Sequence, residues 1–126
     1  MYKYTCEGDI SCGVNTVKDE ENMTDLEKKH TPVINAPEKV NKGELFEVTV
    51  EVGKYMKHPN TLGHFIQWIE LYSGNTFLGR AEFTPEFSDP KIKMAVMLKH
   101  GHPLIAVERC NLHGIWSSEP KPIKVV

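Results

Sequence analysis

Glu44-Leu45-Phe46-Glu47-Val48-Thr49-Val50-Glu51-Val52 decides the fold class. Phe46, Val48, Val50 and Val52 alternate with Leu45, Glu47, Thr49 and Glu51. That is the two-residue period of a strand with one buried face. Outward from it, runs rich in Val, Ile, Phe and Thr recur between Pro, Gly and Asn turns, at residues 65–72, 76–83, 92–98, 104–109 and 123–126, with a further strand near 33–40. Ser73-Gly74-Asn75 makes the 65–72 and 76–83 runs a hairpin. About seven short strands in roughly 100 residues predict an all-β, immunoglobulin-like sandwich.

The strand pattern begins only after His30. Residues 1–29 are polar, hold Cys6 and Cys12, carry the acidic run Asp19-Glu20-Glu21 and show no hydrophobic period, so they read as an N-terminal tail before a single domain at 30–126. Within the tail, Thr24-Asp25-Leu26-Glu27 fits a capping box and predicts one helical turn. A chain of 126 residues, 40% hydrophobic and 25% charged, supports one core and contains no apolar run of bilayer-crossing length. The net charge of -2, without a basic stripe, gives no support for nucleic-acid binding. No secretory signal is visible at the start of the sequence, so a cytoplasmic location is expected. Three cysteines leave at least one thiol unpaired within the chain, which suits a reducing compartment or a metal site.

Four of the six histidines fall where a metal site would draw them: His30 before the first strand, His58 and His64 in one loop, and His113 three residues after Cys110. Cys-x-x-His puts two donors on one tight turn. Pro59 holds His58 in extended backbone and narrows the freedom of that loop. Phe65, Trp68 and Trp116 lie near these residues in sequence and read as core, while His100 and His102 flank Gly101 in a polar turn and read as surface. Structural zinc takes four ligands, so four histidines plus a thiolate point to a five-coordinate ion with an open position. Copper of the cupredoxin kind would call for a methionine after His113, and the last methionine is Met97. A non-catalytic electron carrier and a structural metal module remain the alternatives.

Three blocks in order resemble the superoxide reductases, the family of neelaredoxin and of the desulfoferrodoxin iron-binding domain. They are Lys29-His30-Thr31-Pro32-Val33, His58-Pro59-Asn60-Thr61 through His64-Phe65-Ile66-Gln67-Trp68-Ile69-Glu70-Leu71, and Cys110-Asn111-Leu112-His113-Gly114-Ile115-Trp116. The resemblance implies one iron ion per chain, with His30, His58, His64 and His113 in a plane, Cys110 on the axis and the position opposite sulfur open. It implies one-electron reduction of superoxide to hydrogen peroxide, with rubredoxin or a similar protein as electron donor; a homo-oligomer is expected as the assembly. It further implies backbone N–H groups at Leu112 and His113 directed at the sulfur. The family's rubredoxin-like second centre needs four cysteines, and Cys6 and Cys12 cannot supply it; they are expected as surface thiols or an incidental disulfide. The family's Glu-Lys-His motif reads Glu27-Lys28-Lys29-His30 here. With His30 fixing the register, Lys29 takes the place of the active-site lysine, Lys28 that of the glutamate, and Glu27 sits one residue further away.

Overall fold

A computed structural model describes residues 5–126. Short strands β1 (Val14–Asn15) and helix α1 (Asp25–His30) precede β2 (Val33–Asn35), β3 (Lys39–Val40) and β4 (Phe46–Glu51). After them come β5 (Ile66–Ser73), β6 (Thr76–Glu82), β7 (Lys91–Val96), β8 (Leu104–Cys110), β9 (Gly114–Ser117) and β10 (Lys124–Val125). One sheet runs β1-β9-β8-β5-β6, a second runs β2-β4-β7, and β10 pairs with β3 in parallel. This is the all-β sandwich that the alternation predicts. Val48, Val50, Ile69, Leu71, Leu104 and Ala106 are wholly buried in its core. No helix among the described residues is long and apolar enough to cross a membrane.

The predicted 65–72 and 76–83 runs form a hairpin through Gly74-Asn75, and the 33–40 run divides into β2 and β3. Two strands are absent from the sequence reading. β9 follows the Cys-x-x-His turn directly, and β1 pairs with it in parallel, Val14 opposite Ile115 and Asn15 opposite Trp116. Part of the polar N-terminal segment is therefore built into the main sheet. A two-residue strand is too short to show a period, which is why it left no trace in the pattern.

β5 also departs from simple alternation. Its register against β8 shifts between Ile66 and Trp68, so Ile66 faces Cys110 while Trp68 faces Arg109. The irregularity keeps both Ile66 and Ile69 buried and turns Trp68 to the outer face, where the Arg80 guanidinium lies 4.4 Å over its ring. Trp68 is thus half-buried under Arg80 and not core as expected.

β8 carries one inward-facing acid. Leu104, Ala106, Glu108 and Cys110 are all wholly buried on one side of this strand. Neither carboxylate oxygen of Glu108 has a hydrogen-bond partner among the described residues. Burial pushes its pKa up to about 9, so the side chain is neutral at pH 7. The folded state then binds a proton that the unfolded chain releases near the ordinary glutamate value of 4.5. The folded-state pKa is raised, so this contribution is complete below about pH 4.5 and is lost as pH rises toward about 9. Replacement Glu108→Gln should remove that slope, giving a chemical-denaturation stability more nearly constant across the interval than that of the parent protein.

Candidate metal centre

Three segments bring the predicted donors together. His30 is the last residue of α1, whose start is fixed by the predicted capping box: Thr24 Oγ1 accepts from Glu27 N at 3.1 Å, and Glu27 Oε1 accepts from Thr24 N at 2.8 Å. The loop after β4 carries His58 and His64. Gly53 (φ +90°) opens it, and a Cβ there would lie 2.9 Å from the backbone nitrogen of His58, so only glycine lets the chain fold back this closely. Thr61 and His64 exchange backbone hydrogen bonds, N to O, at 2.9 and 3.2 Å, which closes a tight turn under His64. The third segment is the turn Cys110–Gly114 between β8 and β9. Asn111 ties it to the second, accepting from Phe65 N at 2.9 Å and donating to the Gly63 carbonyl at 2.9 Å. Sequence reasoning passed over Asn111, although a side-chain amide inside a Cys-x-x-His turn is the signal that could have found it.

The rings form a near-square. Neighbouring centroids lie 4.7 Å apart for His30–His58, 4.7 Å for His58–His64, 4.9 Å for His64–His113 and 4.9 Å for His30–His113. The His30–His64 separation of 6.5 Å is close to the diagonal of a square with such sides. Nitrogens face one another across two edges, His30 Nε2 to His58 Nε2 at 3.2 Å and His64 Nε2 to His113 Nδ1 at 3.2 Å. The Cys110 sulfur lies 3.7 Å from His113 Nδ1. Donor atoms of His30, His58, His64 and Cys110 all fall within 4.8 Å of one another.

The fit to a cation rests on proton bookkeeping. His30 Nδ1 is 2.7 Å from the Leu26 carbonyl and His58 Nδ1 is 2.6 Å from the Pro59 carbonyl. A carbonyl only accepts, so each Nδ1 carries the hydrogen. Burial lowers the pKa of both rings to about 4, and neither carries a second proton near neutrality. Two lone pairs then confront each other at 3.2 Å inside the protein. A positive ion between them turns that repulsion into coordination. The carbonyl contacts are also the outer contacts that fix ring orientation in metal sites. Burial raises the pKa of the Cys110 thiol, against which backbone N–H groups of Leu112 and His113 act by hydrogen-bonding the sulfur. Imidazole with one thiolate suits iron, zinc or copper and disfavours magnesium or calcium.

Trp116 is 4% exposed, stacks on His30 at 5.3 Å between centroids and donates its indole N–H to the His113 carbonyl at 2.9 Å. It is core, as expected, and at the same time a brace for two of the rings. Lys29 and Lys28 are both half-buried on α1. Burial is the main cause that lowers the pKa of His30 and of His64, and the Lys29 charge acts in the same direction. Glu27 is committed elsewhere: besides Thr24, its Oε2 accepts from Lys18 N at 3.0 Å, and these backbone donors hold its carboxyl below the usual glutamate range. His100 and His102 lie in an exposed turn with ring centroids 5.9 Å apart, away from the square. Glu27→Ala should therefore act on the helix, costing about 1–2 kcal/mol in denaturant unfolding, whereas Lys28→Ala should cost less than 0.5 kcal/mol or so.

Comparison with known proteins agrees with this geometry. The desulfoferrodoxin family model matches residues 22–119. The superoxide reductase of Pyrococcus horikoshii is 43% identical over 103 residues, covering 73% of this chain and 85% of the relative. Neelaredoxin of Megalodesulfovibrio gigas is 33% identical over 109 residues, covering 72% and 84%. A solved superoxide reductase (neelaredoxin) from Ignicoccus hospitalis superposes with a TM-score of 0.78 at 38% identity, covering 90% of this chain and 95% of that one. With three ligand-bearing segments, an all-β sandwich and matches of this extent, the chain belongs to the desulfoferrodoxin family, among the superoxide reductases and neelaredoxins.

Proposed function

We propose that this protein reduces superoxide by one electron and two protons to hydrogen peroxide, using one iron ion per chain held by His30, His58, His64, His113 and Cys110. The observation that carries the reading is the square of four imidazoles, two of them with lone pairs opposed at 3.2 Å, next to a buried cysteine in a chain of this family. Bound iron would supply the one-electron couple and the Lewis-acid position for the substrate. The protein's own groups set the conditions. Carbonyls of Leu26 and Pro59 hold two rings in the tautomer that presents Nε2. N–H groups of Leu112 and His113 stabilise the sulfur as a thiolate in a buried setting, where hydrogen bonds to sulfur tune potential.

Access is set by burial. Cys110 is wholly buried while His64 and His113 are half-buried, so solvent and substrate approach on the histidine side. Lys29 precedes His30 on α1 and offers the positive charge that would attract a small anion to a slightly acidic protein. Lys28 belongs to the same helix turn and takes the lesser role. Glu27, with both oxygens on backbone donors, is not free to reach the centre. The two protons come from solvent, and the electron from a small redox protein such as rubredoxin.

Purified protein should contain about one iron per chain, and Cys110→Ser should abolish the visible thiolate-to-iron absorption of the oxidised form. Survival of that band without Cys110 would refute the ligand set. A screened attraction of about 1 kcal/mol at Lys29 corresponds to roughly five- to tenfold in encounter rate. Pulse-radiolysis rates should fall by about that factor in Lys29→Ala, with a flatter salt dependence, and fall less in Lys28→Ala.

A further inference from the structure

Cys6 and Cys12 form a disulfide across six positions, and Cys110 is the free, buried cysteine among the described residues. Cys6 is exposed and Cys12 half-buried, so the bridge is open to a thiol from solvent. Its loop does not hang free. Asp9 closes a turn inside it, its carbonyl accepting from Cys12 N at 3.0 Å and its Oδ1 from Ser11 N at 2.9 Å. The loop then seats on the metal-binding turn. Gly114 has φ +80°, and a Cβ built there would lie 2.3 Å from the Ile10 carbonyl oxygen and 3.4 Å from Ser11 Cα. The bridged loop thus occupies the place a side chain would take, one residue after His113. Asn15 fastens the contact, its Nδ2 donating to the Ile10 carbonyl and to the Ile115 carbonyl at 2.9 Å each. Asn15 pairs with Trp116, and Trp116 braces His113 and His30.

We propose that Cys6–Cys12 is a reversible thiol–disulfide site that clamps the metal-binding turn Cys110–Gly114, so that its reduction by a dithiol loosens the hold on the metal. The inference rests on the metal-centre reading above only for its second measurement. A thiolate of the dithiol attacks the exposed Cys6 sulfur, the S–S bond breaks and Cys12 leaves as a thiolate that takes up a proton. The second thiol of the reductant then displaces Cys6, leaving the reductant as a disulfide and the protein with two thiols. Two electrons pass from reductant to protein, and no further reactant is required. The seven-residue ring, once open, regains chain freedom, and the Ile10 carbonyl is no longer held against Gly114 by a closed loop.

The first test is hydrogen exchange on the full chain as purified, oxidised and then treated with dithiothreitol under native conditions. Amides of residues 112–116 should exchange at least fivefold faster after reduction, with the core of β4 and β5 unchanged. The second is the rate at which a strong chelator removes iron from the loaded protein, which should rise about five- to tenfold on reduction. Cys6→Ser/Cys12→Ser should match the reduced protein and no longer respond to dithiothreitol. If that variant does not fold, the oxidised and reduced forms of the unaltered protein still decide. A bridge that reacts only after unfolding, or exchange and chelator rates that do not change on reduction, would overturn the proposal. Exchange that responds while no iron is retained in either form would leave the clamp standing and refute the iron reading.

Discussion

Two imidazole lone pairs pointed at each other in the interior are the constraint around which this protein is organised. Water would ordinarily relieve such a contact, and here His30 and His58 are 1% and 3% exposed. A proton could relieve it, but burial holds both rings neutral well below physiological pH. Each ring has already spent its one hydrogen on a backbone carbonyl. What remains is a cation, and the rest of the structure can be understood as the means of keeping the rings in place until one arrives. Helix α1 is capped at one end so that its other end delivers His30, and Gly53 folds the chain back to bring His58 opposite.

Much of this was legible in the residues because the relevant signals are local. Alternation at 44–52 marks a half-buried strand wherever it occurs, and Thr24 with Glu27 makes its cap from neighbours three positions apart. The ligand residues stand out by type and spacing. What escaped was whatever depends on distant partners. Strand β1 exists only because β9 lies beside it, and the seating of Ile10 on Gly114 joins segments about a hundred positions apart. The register shift at Gln67 sent Trp68 outward against the simple period, which no run of eight residues discloses by itself. Glu108 was visible in principle, since Leu104, Ala106, Glu108 and Cys110 share one parity and a carboxyl on the apolar parity is an exception that needs a reason.

That exception bears on the sulfur. Glu108 and Cys110 lie two residues apart on the same inward face, and a negative charge at Glu108 would raise the thiol pKa further. A neutral Glu108 spares the site that repulsion. Stability and thiolate formation therefore favour the same protonation state of this carboxyl, although its buried oxygens still cost the fold desolvation energy. Hydrogen bonds from the backbone N–H groups of Leu112 and His113 act in the same direction on the sulfur.

The tie made by Asn111 has a bearing on how the molecule comes into being. Its two hydrogen bonds reach from the turn after β8 to Gly63 and Phe65, and the four rings lie at positions spread from 30 to 113. None of the three ligand-bearing segments can present a finished centre alone, and the last two are held side by side by the pairing of β5 with β8. During synthesis, the histidines at 30, 58 and 64 emerge first, as an incomplete set of nitrogen donors that many ions could occupy. Cys110, whose thiolate discriminates among those ions, and then His113 emerge last. The full donor set, and with it the choice of metal, exists only once β8 and the turn after it are in place.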